Sequence, residues 1–322
     1  MDKRTRVLRA MDKLPVDHVP VGFWYHFPEE SSYGEACVKA HADYIRDCDT
    51  DIVKVMCDGY FPYPVPSGIE KASDWYALEP LGASHPFIRD QVWRAKRIVE
   101  ELGGDRPVFY NVFAPFSSLR FGAGEERVMR DLREDKNAVM HALDAVAQDN
   151  ALLAELLIRE AGCDGVYYCV QGGEKDRFTA DEYRSLIAPS DLYVLERANR
   201  FSDYNILHCC GWAGDGNRLE NWRDYPVKCV NWAVFVENMS LEEGRYFFGD
   251  SACLGGFQSL HREGMDHLGL LYSGTKEEIQ AYTRDLILSF GKRGLLLGAD
   301  CTVNSNIDHD RIRWVVEAAR SI

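Results

Sequence analysis

The 322-residue chain lacks the features that mark membrane, secreted and nucleic-acid-binding proteins. No stretch reaches the roughly 18 consecutive apolar residues that a membrane-spanning helix needs. The charged opening, MDKRTRVLRAMDKLPVDHVP, lacks the apolar region of a signal peptide. No cluster of Lys and Arg is present, and a net charge of −14 disfavours binding to phosphate backbones. The sequence therefore predicts a cytoplasmic protein that binds neither membranes nor nucleic acids.

The chain also lacks linkers and nucleotide-binding motifs. It has no low-complexity tract or Pro/Ser-rich linker, and 46% of its residues are hydrophobic, which is enough for a large core. No G-x-G-x-x-G follows the first apolar run and no Walker motif occurs, which removes the usual nucleotide-binding reasons for an open sheet. We expect residues 1–322 to form a single domain.

What the sequence does contain is an alternation of short strand-like runs and long amphipathic segments. The eight runs are VPVGFW (19–24), DIVKVMC (51–57), PVFYNVF (107–113), GVYYCV (165–170), YNILHCC (204–210), VKCVNW (227–232), ACLGGF (252–257) and GLLLGA (294–299). Segments between them, such as 87–102, 137–162 and 275–291, have apolar residues three and four positions apart. Eight strand–helix units in this length predict a (β/α)8 TIM barrel, with the doubly wound open sheet as the main competitor.

In a TIM barrel, the residues at the carboxyl ends of the strands line the mouth where the active site lies. The predicted strands place at this mouth His26, Asp58, Phe116, Ser117, Gln171, His208, Cys210, Asn231, Gln258 and Cys301. We single out Asp58, His26 and Gln171 as candidate catalytic residues that position the substrate or its leaving group. The alternatives are that Asp58 is a helix N-cap and that His26 is a solvated loop histidine.

The stretch NILHCCGWAGD (205–215) ends a strand-like run in one histidine and two cysteines. Alternate residues of a strand share a face, so His208 and Cys210 point one way and Cys209 points the other. With Cys301 they supply three of the four ligands of a catalytic zinc site, whose last position stays open. The alternative is a packed core histidine beside ordinary cysteines.

Two further points concern the remaining candidate ligands. A structural zinc ion would need a fourth protein ligand, which could be Glu237, His261 or His309. The ten cysteines are scattered and match no small disulfide scaffold, so free thiols are the default. The cysteines expected to be small buried hydrophobes within strands are Cys57, Cys169, Cys229 and Cys253.

Three segments resemble the uroporphyrinogen decarboxylase superfamily. They are the opening RTRVLRAMDKLPVDHVPVG, the stretch LHCCG, which is similar to an H-x-C-G strand, and GTKEEIQAYTRDLILSFGKRGLLLGADC near the end. The resemblance extends from about residue 5 to the last residue, and it implies a TIM barrel with the active site at its mouth. The superfamily includes cofactor-free decarboxylases and zinc methyltransferases that work with a corrinoid.

The two branches imply different residues. A decarboxylase of this kind carries an arginine-bearing loop after the first strand, but here FWYHFPEESSYG has no arginine and two acidic residues. Asp58 in VMCDGY does match the decarboxylase aspartate, so this function stays as the alternative. His208, Cys210 and Cys301 match the zinc ligands of the methyltransferases. The resemblance thus implies a zinc-dependent enzyme that moves a methyl group between a cobamide, held by a partner corrinoid protein, and a small substrate. That substrate is a thiol acceptor or a methoxylated or methylamine-type donor.

Overall fold

A computed structural model describes residues 1–212, 214–249, 251–259 and 269–322. Within these ranges, seven strands form one parallel sheet in the order of the chain. The strands are β1 (Val53–Val55), β2 (Val108–Phe113), β3 (Gly165–Val170), β4 (Ile206–Cys209), β5 (Cys229–Trp232), β6 (Ala252–Phe257) and β7 (Leu295–Ala299). Each lies inside one of the last seven predicted runs, so those strand predictions are confirmed.

The sheet is covered on both faces. Every strand residue is buried except Phe113, which is partly exposed. Strands buried on both faces have near-continuous apolar sequences, as in the LLLGA of β7. The lone lysine of β1 and the asparagine of β5 depart from this pattern, and both side chains contribute to the site described below.

The predicted first strand, residues 19–24, is not a regular strand. It forms one isolated parallel bridge, between Val21 and Leu297, and a second follows it between Tyr25 and Val303. Pro20 has no N–H group and interrupts a ladder, although its carbonyl accepts from Leu297 N at 2.9 Å. On the other side, Val21 O accepts from Asp51 N at 2.8 Å, just before β1. This closing segment therefore connects the two edges of the sheet, and the arrangement is consistent with a (β/α)8 barrel.

Thirteen α-helices in the described residues follow and flank the strands. They are α1 (Lys3–Met11), α2 (Gly34–Cys48), α3 (Pro86–Leu102), α4 (Pro115–Ala123), α5 (Glu125–Glu134), α6 (Lys136–Arg159), α7 (Ala180–Glu182), α8 (Ala188–Asn199), α9 (Val234–Glu237), α10 (Leu241–Phe247), α11 (Leu270–Ser273), α12 (Lys276–Phe290) and α13 (His309–Arg320). Among them, none combines the length and the hydropathy needed to cross a bilayer.

Candidate metal centre

A cavity of about 330 Å³ lies at the carboxyl ends of the strands. Its polar and sulfur-bearing lining residues are His26, Lys54, Met56, Asn111, Cys169, Gln171, His208, Cys210, Cys301 and Thr302. Its aromatic lining residues are Phe61, Phe113, Phe121 and Trp212. The cavity therefore combines potential metal ligands with a largely apolar wall.

His208, on β4, is held with one ring nitrogen available. Its Nδ1 lies 2.5 Å from Oδ1 of Asn231, which is its register partner on β5. The amide of Asn231 cannot be reversed, because its Nδ2 donates to the carbonyls of Leu254 (2.8 Å) and Ala299 (3.1 Å). Nδ1 of His208 therefore carries the proton, and Nε2 is a buried lone pair with no hydrogen-bond partner in the described structure. Such a nitrogen is a natural metal ligand.

Two cysteines lie beside this histidine, and a third lies beside one of them. The ligand atoms of Cys169, His208 and Cys210 all lie within 4.8 Å of one another. The Sγ atoms of Cys210 and Cys301 are 4.0 Å apart. Imidazole nitrogen and thiolate sulfur are the donors that zinc prefers. These residues therefore fit a zinc ion by the chemistry of their donors and by the unpartnered Nε2.

Burial and mutual contact hold the unligated thiols in their neutral form. Contact with Cys169 is the largest cause of the rise in the pKa of Cys210 to about 12. Contact with Cys210, and then burial, raises the pKa of Cys301 to about 12. A divalent cation reverses this preference, because it stabilises the thiolate directly and releases the protons on binding.

Lys54, on β1, places an ammonium group in the same cavity. Its Nζ lies 3.9 Å from the ring centroid of Tyr167 and 4.9 Å from that of Trp24. Burial lowers the pKa of Lys54, and the nearby thiols, Cys169 first, oppose this shift. No carboxylate in the described ranges forms an ion pair with Lys54. Its charge is therefore directed to the sulfur cluster and to whatever occupies the cavity.

Gln171 orients one of the thiols. Its Oε1 accepts from Nη2 of Arg120 at 2.5 Å, and Arg120 also pairs with Glu125 at 2.9 Å. The amide nitrogen of Gln171 is thereby directed to Sγ of Cys210, at 3.3 Å. An N–H donor at this position stabilises a thiolate, because hydrogen bonding to the charged form favours it.

His26 and Asp58 form a hydrogen-bonded pair at the edge of the cavity. Nδ1 of His26 lies 2.7 Å from Oδ1 of Asp58, while Oδ2 of Asp58 accepts from Phe27 N at 3.0 Å. Asp58 is buried, whereas His26 is half exposed and lines the cavity. The Asp58 carboxylate caps no helix. It fixes the histidine ring so that the other nitrogen is available for proton transfer.

The aromatic wall consists of Phe61, Phe113 and Phe121. The Phe113 ring packs edge-on against Phe61 (5.3 Å between centroids) and Phe121 (5.2 Å). His26 makes a similar edge contact with Phe61. The half-exposed Trp212 completes the lining two residues after Cys210. This side of the cavity suits an apolar or aromatic group.

The sequence profile of the uroporphyrinogen decarboxylase (URO-D) family matches residues 56–322, which is most of the chain. The chain belongs to the uroporphyrinogen decarboxylase family. None of the curated protein sequences matches it at a significant level.

Several solved structures share the fold of this family member. A methyltransferase from Methanosarcina mazei has 16% identity and a TM-score of 0.75, with 100% of this chain and 98% of that chain covered. A B12-independent methionine synthase from Shewanella sp. W3-18-1, in complex with selenomethionine, has 12% identity and a TM-score of 0.57, with 94% and 97% covered. A β-mannanase from the blue mussel Mytilus edulis has 11% identity and a TM-score of 0.51, with 92% of each chain covered. At these identities the likeness establishes the fold alone.

Some residues predicted at the mouth of this URO-D family member lie elsewhere. Phe116 and Ser117 are buried in the first turn of α4, which begins at Pro115 and leads them away from the cavity. Gln258 does not line the cavity. Asn231 lies behind His208 and acts through it.

Two of the three proposed fourth ligands, Glu237 and His309, do not join the cluster. Glu237 accepts hydrogen bonds from Asn217, and His309 pairs with Asp47. His261 lies outside the described residues. Cys169 was expected to be a buried hydrophobe, yet it lines the cavity beside His208. Its position could have been found from strand parity, because it lies two residues before Gln171 and so shares its face.

Proposed function

We propose that residues 1–322 form one domain of a zinc-dependent methyltransferase, which moves a methyl group between a corrinoid protein and a small substrate. The substrate is a thiol acceptor or a methoxylated or methylamine-type donor. The single observation that carries the proposal is the unpartnered Nε2 of His208, held by Asn231 and surrounded by thiols in a cavity. The methyltransferase from Methanosarcina mazei with the same fold supports this choice.

The proposed metal ligands are His208, Cys210 and Cys301. When bound there, zinc would act as a Lewis acid that lowers the pKa of a substrate thiol or polarises the bond to a leaving group. The protein's own groups prepare this chemistry. Asn231 keeps Nδ1 of His208 protonated, and Gln171 directs an N–H group at Cys210. The apolar wall excludes water, which strengthens the electrostatic interactions inside the cavity.

His26 and Asp58 are the proposed proton-transfer pair. Nδ1 of His26 is occupied by Asp58, so Nε2 is the atom that can accept a proton from a thiol or donate one to a leaving group. The buried carboxylate of Asp58 stabilises the imidazolium that forms when the ring accepts a proton. The half-exposed ring can then exchange that proton with solvent.

A corrinoid protein is the proposed partner, because a cobamide must reach the cavity from outside. Two half-exposed aromatic residues support a contact surface at this end of the sheet. Trp212 follows β4 and lines the cavity, and Phe235 lies in α9, directly after β5. Exposed aromatic side chains of this kind are enriched at protein interfaces. The predicted cytoplasmic location is consistent with a reduced thiol cluster.

The decarboxylase alternative receives less support from the site. A substrate with many carboxylates needs several cationic partners, whereas Lys54 is the only Lys or Arg among the described lining residues. Both oxygens of Asp58, the residue that matches the decarboxylase aspartate, already accept hydrogen bonds within the protein. Decarboxylation is therefore the alternative that the test below can still reveal.

The test is the visible spectrum of a cobamide as it changes between methyl-Co(III) and Co(I). The zinc-loaded protein is mixed with a methylcobamide and candidate thiols, or with Co(I) cobamide and candidate methoxy or methylamine compounds. We expect a spectral change with one of these substrates, and its loss in His208→Ala. If no candidate gives the change and the metal-free protein decarboxylates a porphyrinogen, the methyltransferase proposal is wrong.

A further inference from the structure

Cys169 belongs to the tightest group of ligand atoms in the described structure, although the proposed function does not use it. Its Sγ and the ligand atoms of His208 and Cys210 are mutually within 4.8 Å. Cys169 and His208 are register partners on β3 and β4, so their side chains lie side by side on one face of the sheet. This proximity comes from the strand pairing and not from a loop.

The parity of β3 confirms which way Cys169 points. Tyr167, Cys169 and Gln171 alternate along the strand and therefore share a face. Tyr167 donates its hydroxyl to Oδ1 of Asn231 at 2.6 Å, and Gln171 donates to Sγ of Cys210 at 3.3 Å. Both of these neighbours contact the residues that surround the proposed metal. Cys169, between them, lies in the same cavity lining.

We infer that Cys169 is a fourth protein ligand of the metal, and that a substrate thiol replaces it. This inference rests on the proposed function, because it assumes metal at His208, Cys210 and Cys301. Four protein ligands satisfy the usual coordination of zinc and leave no open position. A catalytic site of this kind must therefore release one ligand when the substrate binds.

Cys169 is the ligand best placed to leave. His208 is held by Asn231, Cys210 accepts from Gln171, and the main-chain N–H of Cys301 donates to Oγ of Ser259 at 2.9 Å. Of the cavity thiols, Cys169 has the strongest electrostatic interaction with the ammonium of Lys54.

The exchange selects a thiol as the substrate class. On a zinc ion bound there, the S–H bond of the incoming thiol would break, its sulfur would take the position of Cys169, and its proton would form a new S–H bond on the displaced Cys169. Charge and protons therefore balance without another reactant. A neutral ether is a weaker ligand than a thiolate for this metal and has no proton to return to Cys169, and a protonated amine has no lone pair with which to bind the metal. Of the two substrate classes above, the thiol acceptor is the one that this site favours.

The test is zinc K-edge X-ray absorption on the zinc-loaded full chain, which counts the sulfur atoms bound to the metal. The resting protein should show three sulfur ligands and one nitrogen ligand. Addition of benzylselenol, a probe whose selenium is distinguishable from cysteine sulfur, should convert this to two sulfur, one selenium and one nitrogen. Two sulfur ligands in the resting protein, or three that persist after selenium binds, would overturn the inference. Both measurements use the wild-type chain, so a variant that fails to fold cannot affect them.

Cys169→Ala and Cys209→Ala provide a matched pair, because they remove the same atom from adjacent strands. Cys169→Ala should lower the sulfur count from three to two and reduce the sulfur-to-cobalt charge-transfer band of the Co(II)-loaded protein by about a third. Cys209→Ala should change neither. Three sulfur ligands in Cys169→Ala would assign the third sulfur to another residue and reject the inference. Failure of the wild-type chain to bind metal would instead reject the proposed function itself.

Discussion

Nδ1 of His208 lies 2.5 Å from Oδ1 of Asn231, and two main-chain carbonyls fix the direction of that asparagine amide. The contact determines which imidazole nitrogen can bind a metal. It also couples adjacent strands, because His208 and Asn231 are register partners on β4 and β5.

Asn231→Leu should weaken metal binding while the fold persists. Leucine has a similar size but cannot accept the proton of Nδ1, so the histidine ring is free to rotate and to change tautomer. Loss of such a partner typically costs about 10-fold to 100-fold in metal affinity. Competition with a chromophoric chelator measures the change. Gln258→Leu, directly after β6 and outside the cavity lining, is the control. Equal affinities for the two variants would show that the asparagine does not act on the metal site.

Cys301→Ala should remove stoichiometric zinc, whereas Cys209→Ala should not. The protein purified under reducing conditions without chelator is expected to carry about one zinc per chain. Sγ of Cys301 lies near that of Cys210, at 4.0 Å, while Cys209 is on the opposite face of β4. Metal analysis of the three proteins decides the assignment. Retention of zinc by Cys301→Ala with the wild-type number of sulfur ligands would mean that this residue was wrongly chosen.

Asp58→Asn should lower kcat/KM by about 100-fold or more while zinc stays bound. The substitution preserves the shape of the side chain but removes the charge that stabilises a protonated His26. A residue with only a structural role would instead change stability by about 1 kcal/mol and leave the rate nearly unaltered. Asp90→Asn, at an exposed carboxylate near Tyr60, is the control.

A double-mutant cycle tests whether His26 and Asp58 act as one unit. His26→Gln and Asp58→Asn should each reduce the rate, and the double variant should be little worse than the poorer single variant. Full additivity of the two losses in kcat/KM would contradict a joint role in proton transfer.

Asp191→Asn should remove a pH dependence of stability. Burial raises the pKa of Asp191 from 3.8 to about 7, while the hydroxyls of Tyr183 and Tyr225 each donate to its Oδ2 at 2.9 Å. The folded state thus holds a proton that the unfolded state has lost between about pH 4 and pH 7, so stability falls as the pH rises through this window. The slope contributed is at most about 1.4 kcal/mol per pH unit. Denaturant unfolding of both proteins across that range measures it, and parallel curves would refute the prediction.

The strands were predictable because each is a short apolar run between clear helical patterns, but side-chain contacts across the sheet were not. The position of β4 follows from its apolar run, and the opposite directions of His208 and Cys209 follow from the alternation of side chains along a strand. Cys169 was missed because a cysteine within an apolar strand is typical of a packed core. Only the pairing of β3 with β4 shows that Cys169 lies beside His208. Phe116 was misplaced at the mouth because Pro115 starts a helix directly after β2.

The closing segment, residues 19–24, has consequences for how the wall behaves. It forms one isolated bridge, whereas β4 has paired strands on both sides. Local opening requires the least free energy where the fewest hydrogen bonds must break, so we expect this seam to open before the paired strands of the wall and its amides to exchange faster than theirs with deuterated solvent. His26 follows the seam directly, and His208 and Cys210 belong to the firmly paired part. We therefore expect the cavity to be asymmetric in stiffness, with the half that carries His208 and Cys210 rigid and the half that carries His26 compliant.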